Sequence, residues 1–298
     1  MRTTARSRST VSTSTAAPRT VGVEEELLLV SAETGAPVPV AAQILAAHAR
    51  EAAAPDGTVL VAEMQDEMIE VVSAPFTSGA ELTRALTAGR ALADGLARRL
   101  GARASAVASS PLPCSPHSFD TPRYRELARR YGCTGRESLA CALHVHVGIE
   151  SPEEGVAVLN RIRGWLPALR ALSANSPFHD GADSGYASYR FLDWHRWPSA
   201  GPTDVFSSVV DYTSFEERML ATGTLLDNGM LYLAPACPPC TPRSRSAWPT
   251  SAPTSTARRP WRCSPARWSR RPPRSGAADR RRTRSRPRCC VSRPGRRP

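Results

Sequence analysis

Composition changes abruptly after Leu233, and that break confines the globular part of this 298-residue chain to its first 233 residues. Residues 234–298 hold 18 of the 39 arginines, 13 of the 27 prolines and a single acid, Asp279, whereas residues 1–233 hold 21 arginines and 26 acids. The tail therefore carries a net charge of +17 and the body −5. A basic tail on an acidic body is the pattern of an arm that binds nucleic acid by counterion release, so a genuine tail implies a nucleic-acid partner. The chain has no lysine, as expected of GC-rich coding DNA, and the tail has the composition of an out-of-frame translation of such DNA. Codons permitted for residues 241–251, read from each third base, allow Pro-Thr-Leu-Glu-Val-Arg-Val-Ala-Asp-Val, which alternates like a strand. The expectation is a frame change near Leu233 and a disordered tail over residues 234–298.

Residues 21–233 are long enough to bury a substantial core as one domain. No run of about 18 apolar residues exists, and no secretory signal is recognisable, so a soluble, cytoplasmic protein without a membrane partner is expected. Residues 1–20, free of acids and rich in Ser, Thr and Arg, read as a disordered lead. Of the eight cysteines only Cys114, Cys133 and Cys141 lie in the body, which does not make a disulfide framework. The Cys237-Pro-Pro-Cys240 spacing lacks a second pair and reads as accidental.

Hydrophobic patterning predicts strands over residues 21–30, 64–72, 104–109 and 143–149, and helices over 41–53, 80–100, 124–131 and 153–174, the last kinked at Pro167. A proline-rich loop over 111–122 and a polar, tyrosine-bearing loop leading to residues 190–197 separate them. Helices and strands are interspersed without a βαβ rhythm or a glycine-rich phosphate loop. The fold class is α+β, not a Rossmann or P-loop fold.

Glu24-Glu25-Glu26 sits inside an otherwise apolar strand, so Glu24 and Glu26 project from one face and Glu25 from the other. His144-Val145-His146-Val147-Gly148 likewise places two imidazoles on one face, with Gly148 allowing close approach of another group. Glu63, Glu67 and Glu70 add carboxylates on or beside a third strand. Taken singly, each pattern also fits a solvated strand face or hydrogen-bonded structural histidines. Taken together, strands facing one cavity with oxygen-rich ligands and an imidazole favour Mg2+ or Mn2+, the metals of ATP chemistry. Arg190 and Arg196, in the tyrosine- and tryptophan-rich loop, are candidates to hold a transferred phosphoryl group or a substrate carboxylate. Neither a Walker loop nor a Ser-His-Asp arrangement is present.

Four segments carry a family resemblance: Val21-Gly-Val-Glu-Glu-Glu26, Cys141-Ala-Leu-His-Val-His-Val-Gly148, Ser173-Ala-Asn-Ser-Pro-Phe178 and Gly185-Tyr-Ala-Ser-Tyr-Arg190, with Trp194-His-Arg-Trp-Pro-Ser-Ala-Gly-Pro202 fitting too. Over residues 20–233 the chain resembles carboxylate-amine ligases of the glutamate-cysteine ligase type 2 family. The resemblance implies a glutamine synthetase-like antiparallel catalytic sheet flanked by helices. It also implies ATP-dependent joining of glutamate to cysteine through an acyl phosphate. Under it, Glu24 and His144 would hold the metal nearer the transferred phosphoryl, and Glu26, Glu63 and Glu70 the other. His146 would lie near the nucleotide phosphates. Arg190 matches the family only as part of its loop, and its role as the catalytic anion contact, like that of Arg196 as a nucleotide contact, is inferred from the residues themselves. Two departures stand out. Ala142-Leu143 replaces the family's Gly-Met, and the family's strand Pro-Thr-Leu-Glu-x-Arg, due after Tyr232, is missing from the chain as written. Impaired catalysis is therefore expected.

Overall fold

In the computed structural model, which describes residues 18–51, 56–233 and 251–253, the last three by backbone alone, strand β1 (Val21–Ser31) is the spine of a six-stranded sheet. Two units separate, Met1–Thr256 and Ala257–Pro298, and all described residues lie in the first. On one edge of β1 lies β3 (Met68–Val72), followed by β2 (Val59–Ala62), all antiparallel. The opposite edge is shared: β5 (Leu143–Gly148) pairs with Val21–Glu25, and β4 (Ala102–Ser105) with Leu28–Ser31. Outside β5, Ser251–Pro253 adds a short antiparallel strand, β8, so the expected disorder of the tail does not hold at these three residues. The remaining expectations for residues 234–298, the frame change and Cys237-Pro-Pro-Cys240 among them, lie outside the described residues, as do those for residues 1–17.

Strand alternation sorts the chemistry onto two faces. Odd-numbered residues of β1 and β3, Leu27, Leu29, Ile69 and Val71, pack on Ile44 of α1 (Ala41–His48) and on Ala93, Leu96 and Ala97 of α2 (Gly79–Arg98). Burial of that apolar surface is the main force seating the two helices. Gly89 is the contact point of α2 with β3: a Cβ there would stand 2.3 Å from Val71 Cγ1. Even-numbered residues face the other way, Leu28 and Met68 packing with Leu139 and Cys141.

Helices α3 (Pro122–Tyr131), α5 (Pro152–Ile162) and α8 (Val209–Ala221) start where the chain supplies a hydroxyl cap. Thr121, Ser151 and Ser208 accept from the backbone N–H groups of Tyr124, Glu154 and Asp211, and Pro122 and Pro152 occupy the first turns of α3 and α5. A five-residue helix, α4 (Cys133–Glu137), follows α3 directly.

Several predicted boundaries move. The single kinked helix over 153–174 is two: α5, a 3-10 turn over Arg163–Trp165, and α6 (Leu166–Ser173), with Pro167 in the first turn of α6. Proline lacks the N–H that would continue the ladder but is well placed to start a new helix. The strand predicted over 64–72 begins at Met68, because residues 63–67 turn between β2 and β3, and β2 was not predicted. The strand expected at 104–109 is Ala102–Ser105, and the helix expected to reach residue 53 ends at His48. The predicted disordered lead is ordered at its end: Thr20 accepts from Gly148 N–H and Arg19 pairs with Glu154. Gly148 permits this contact, since a Cβ would stand 2.6 Å from Thr20 Oγ1.

Candidate active site

The even face of the sheet gathers the predicted groups. Antiparallel register sets Glu24 opposite His144 and Glu26 opposite Glu70, and His146 is two residues from His144 on the same face. Glu63 enters from the residue after β2, near enough for its carboxyl to raise the pKa of Glu70. Glu25 is on the reverse face, 4% exposed, where Arg90 of α2 grips both its oxygens. Glu67 is not part of the cluster. It is buried behind the sheet turn and accepts from the His117 backbone N–H at 2.9 Å, with the His117 ring 2.6 Å away, pinning the 111–121 loop.

Glu24 lies between the imidazoles, its Oε2 being 3.0 Å from His146 Nε2 and 3.7 Å from His144 Nδ1. The His146 contact has ion-pair distance without hydrogen-bond alignment, and His146 Nδ1 has no hydrogen-bond partner among the described residues. Contacts with the two histidines hold the Glu24 carboxyl well below the usual carboxylate range, against the opposing effect of burial. Burial pulls His144 down, but Glu24 and Glu26 outweigh it and leave its pKa raised.

The other carboxyls behave oppositely. Burial, then the charge of Glu63, pushes Glu26 up to about 7, although His144, Arg190 and the Ala142 N–H at 2.6 Å favour its ionised form. Burial together with Glu63, Glu24 and Glu26 pushes Glu70 up to about 9. Burial and neighbouring carboxylates thus both disfavour the charged forms of Glu26 and Glu70, which is the electrostatic setting a divalent cation relieves.

Arg190 stands at the edge of this cluster. Its Nε donates to Cys141 O at 2.6 Å, its charge reaches Glu26, and its two terminal nitrogens have no hydrogen bond among the described residues. Arg196 is placed differently: its guanidinium is engaged by Asp193 at 3.0 Å and Glu137 at 3.2 Å, and it makes no contact with the carboxylate cluster. Two tyrosines that sequence reasoning missed lie within reach of the Glu63 charge. Burial raises both, Tyr232 to about 12, and the Glu63 charge adds to each. Neither Tyr124 in a first helical turn nor Tyr232 in coil carries a local signal of that placement.

Oxygen-rich donors with imidazole nearby are the right chemistry for Mg2+ or Mn2+. The cage is not preformed: among the described residues no three His, Cys, Asp or Glu side chains stand at ligand distances together. Glu24 is turned to the histidines and Glu26 to the Ala142 N–H, so both would have to swing to bind a cation.

No described helix is long and apolar enough to cross a membrane. A bifunctional glutathione synthetase from Pasteurella multocida has a similar fold, with a TM-score of 0.55 and 17% identity over 74% of this chain and 32% of that one. Among sequences, a protein of Paenarthrobacter aurescens (strain TC1) bearing a glutamate--cysteine ligase 2-1 name is 49% identical over 219 residues, 72% of this chain and 57% of that protein. A Streptomyces avermitilis protein bearing the same name is 49% identical over 214 residues, 72% of this chain and 59% of that protein. The chain thus spans little more than half the length of these relatives. The profile of Glutamate-cysteine ligase family 2 matches residues 20–284, most of the sequence. The antiparallel sheet with its acidic face, and these matches, establish that the chain belongs to glutamate-cysteine ligase family 2.

Proposed function

We propose that residues 20–233 form the metal- and nucleotide-binding face of an ATP-dependent ligase that joins the carboxylate of glutamate to the amine of cysteine through an acyl phosphate. The observation that carries this reading is the convergence of Glu24, Glu26, Glu63, Glu70 and His144 on one sheet face, where burial and neighbouring carboxylates push Glu26 and Glu70 up. In this reading those five residues hold Mg2+ or Mn2+, which when bound neutralises the ATP phosphates. Arg190, with its terminal nitrogens open, holds the transferred phosphoryl group or the substrate carboxylate. His146 approaches the nucleotide phosphates with its unbonded ring nitrogen. The Arg196 guanidinium is already engaged, so a nucleotide role requires it to leave Asp193 and Glu137.

Turnover by this chain is expected to be low, because the family's Pro-Thr-Leu-Glu-x-Arg strand is missing after Tyr232. A single transition-state contact supplies about 3 kcal/mol, or about a hundredfold in rate. The test is calorimetric titration of the purified 298-residue chain with ATP, with and without Mg2+, alongside measurement of phosphate release with glutamate and cysteine. Cation-dependent ATP binding that Glu26→Gln weakens, with slow product formation, is the expected result. ATP binding that ignores the cation, or no binding, overturns the assignment of the face. Turnover equal to that of a full-length relative overturns the impairment.

A further inference from the structure

Gln65 has no exposed surface, yet it is neither a candidate ligand nor an apolar core residue. Each polar atom of its side chain is bonded: Nε2 donates to Arg136 O at 3.3 Å and to Ser138 O at 3.2 Å, and Oε1 accepts from the Ser118 hydroxyl at 2.7 Å. An amide left unpaired in the interior is destabilising, and an apolar side chain of the same volume would fill the space without that liability. A fully bonded polar group in such a place fixes one arrangement of the segments that it joins.

The segments joined are those that deliver the acidic face. Gln65 lies in the turn over residues 63–67, two residues after Glu63. That turn is laced to the proline-rich loop, Asp66 N–H donating to His117 O at 2.8 Å and Phe119 N–H to Met64 O at 3.0 Å. The two carbonyl partners of Gln65 stand at the end of α4 and just beyond it, where the last carbonyls of a helix have no partner within the helix. From Ser138 the chain runs through Cys141, whose carbonyl anchors Arg190, and Ala142, whose N–H holds Glu26, into β5 and His144. Among the described residues no other hydrogen bond joins residues 63–67 to residues 136–142. Like charges on Glu63, Glu26 and Glu70 repel, which drives the turn bearing Glu63 away from the face. A neutral amide resists that drift without adding a positive charge that would compete with a metal for the carboxylates.

We propose that Gln65 is a positioning residue for the cation site: its amide sets the spacing between the turn that bears Glu63 and the segment that bears the Glu26 anchor and His144. The inference rests on the ligase reading above, which makes the acidic face a divalent-cation site, and it adds a residue that touches neither cation nor substrate. Removing the amide leaves every proposed ligand in the chain and alters only how the ligands stand to one another.

The experiment measures Mn2+ binding by the full chain, from the electron paramagnetic resonance signal of free Mn2+, at a temperature where circular dichroism shows each variant folded. Gln65→Met, close in length and volume, should weaken Mn2+ about tenfold. Gln65→Asn, one methylene too short to span the same partners, should weaken it in the same direction and carries the test if Gln65→Met does not fold. Ser208→Ala removes the hydroxyl cap of α8 and should lower the melting temperature while leaving Mn2+ affinity within about twofold. A lowered melting temperature with parental Mn2+ affinity in the Gln65 variants would make the residue a purely structural one and overturn the proposal. An equal loss of affinity in Ser208→Ala would do the same, by tracing the effect to stability alone. Failure of the parent chain to bind Mn2+ counts instead against the ligase reading.

Discussion

At the scale of single residues, Glu70 sets the pH behaviour of the cation-free protein. Its pKa is raised on folding to about 9 by burial and by its carboxyl neighbours, so the folded state favours the protonated form. Its contribution to stability is complete below the ordinary carboxylate pKa and is lost as pH rises through about 9. Melting temperature without divalent cation should therefore fall between pH 6 and pH 10, and Glu70→Gln should flatten that fall. Excess Mg2+ should raise it most at the alkaline end; a pH profile indifferent to both changes would show the carboxyls to be solvated. Across the sheet, Arg90→Ala leaves the Glu25 carboxylate buried without its partner and should cost about 2 kcal/mol in denaturant unfolding. The pair Glu25→Leu/Arg90→Leu should recover most of that loss. The opposite facing of Glu25 was legible from strand periodicity, but Arg90 was not, because it lies 65 residues away and its helix has other exposed arginines.

At the scale of elements, close packing and buried polar groups decide what a substitution does. Gly89→Ala would gain helix propensity of about 1 kcal/mol, yet its methyl would press on the stiff, β-branched Val71 at 2.3 Å, and net destabilisation of about 1–2 kcal/mol is expected. A melting temperature above the parent's would show that α2 can move off the sheet freely. On α8, Glu216 is buried and its pKa is raised by burial, partly offset by a hydrogen bond with Tyr212. Its stabilising share is present below the ordinary carboxylate pKa and is lost as pH rises through the folded value. Glu216→Gln should thus raise the melting temperature at pH 8 and leave it unchanged at pH 4. The long strand β1, helix α2 and the histidine strand β5 could be read from periodicity because each repeats its pattern over one or more full periods. Strand β2 could not: Val59–Ala62 has four apolar residues, too few to separate period two from period 3.6. The break between α5 and α6 was hidden for the reverse reason, since Leu159, Ile162, Leu166 and Leu169 continue one apolar spacing across it.

At the scale of the whole molecule, the even face of the sheet was legible as a set of acids and imidazoles, while the loss of a family strand after Tyr232 is read from the sequence alone, since residues 234–250 lie outside those described. Grafting onto Leu233 the segment of a relative that begins Pro-Thr-Leu-Glu-x-Arg should raise phosphate release with glutamate and cysteine about a hundredfold. No gain in a folded chimera would count against the assigned defect. What sequence reasoning did not reach was the state of the assembled face: Glu24 turned toward two histidines, and Glu26 and Glu70 pushed up first by burial and then by neighbouring carboxylates. Those are properties of four segments brought side by side, and no one of them carries the information. The alternation of β1 has a further consequence for how such a gene can change. Deleting or inserting one codon between Val23 and Leu27 would turn Glu25 outward and bury its neighbours against α2, reversing the sheet like a glove pulled inside out. Insertions and deletions should therefore be tolerated in the turn after Ser31 and purged from the strand, even when every new residue is itself a good strand former.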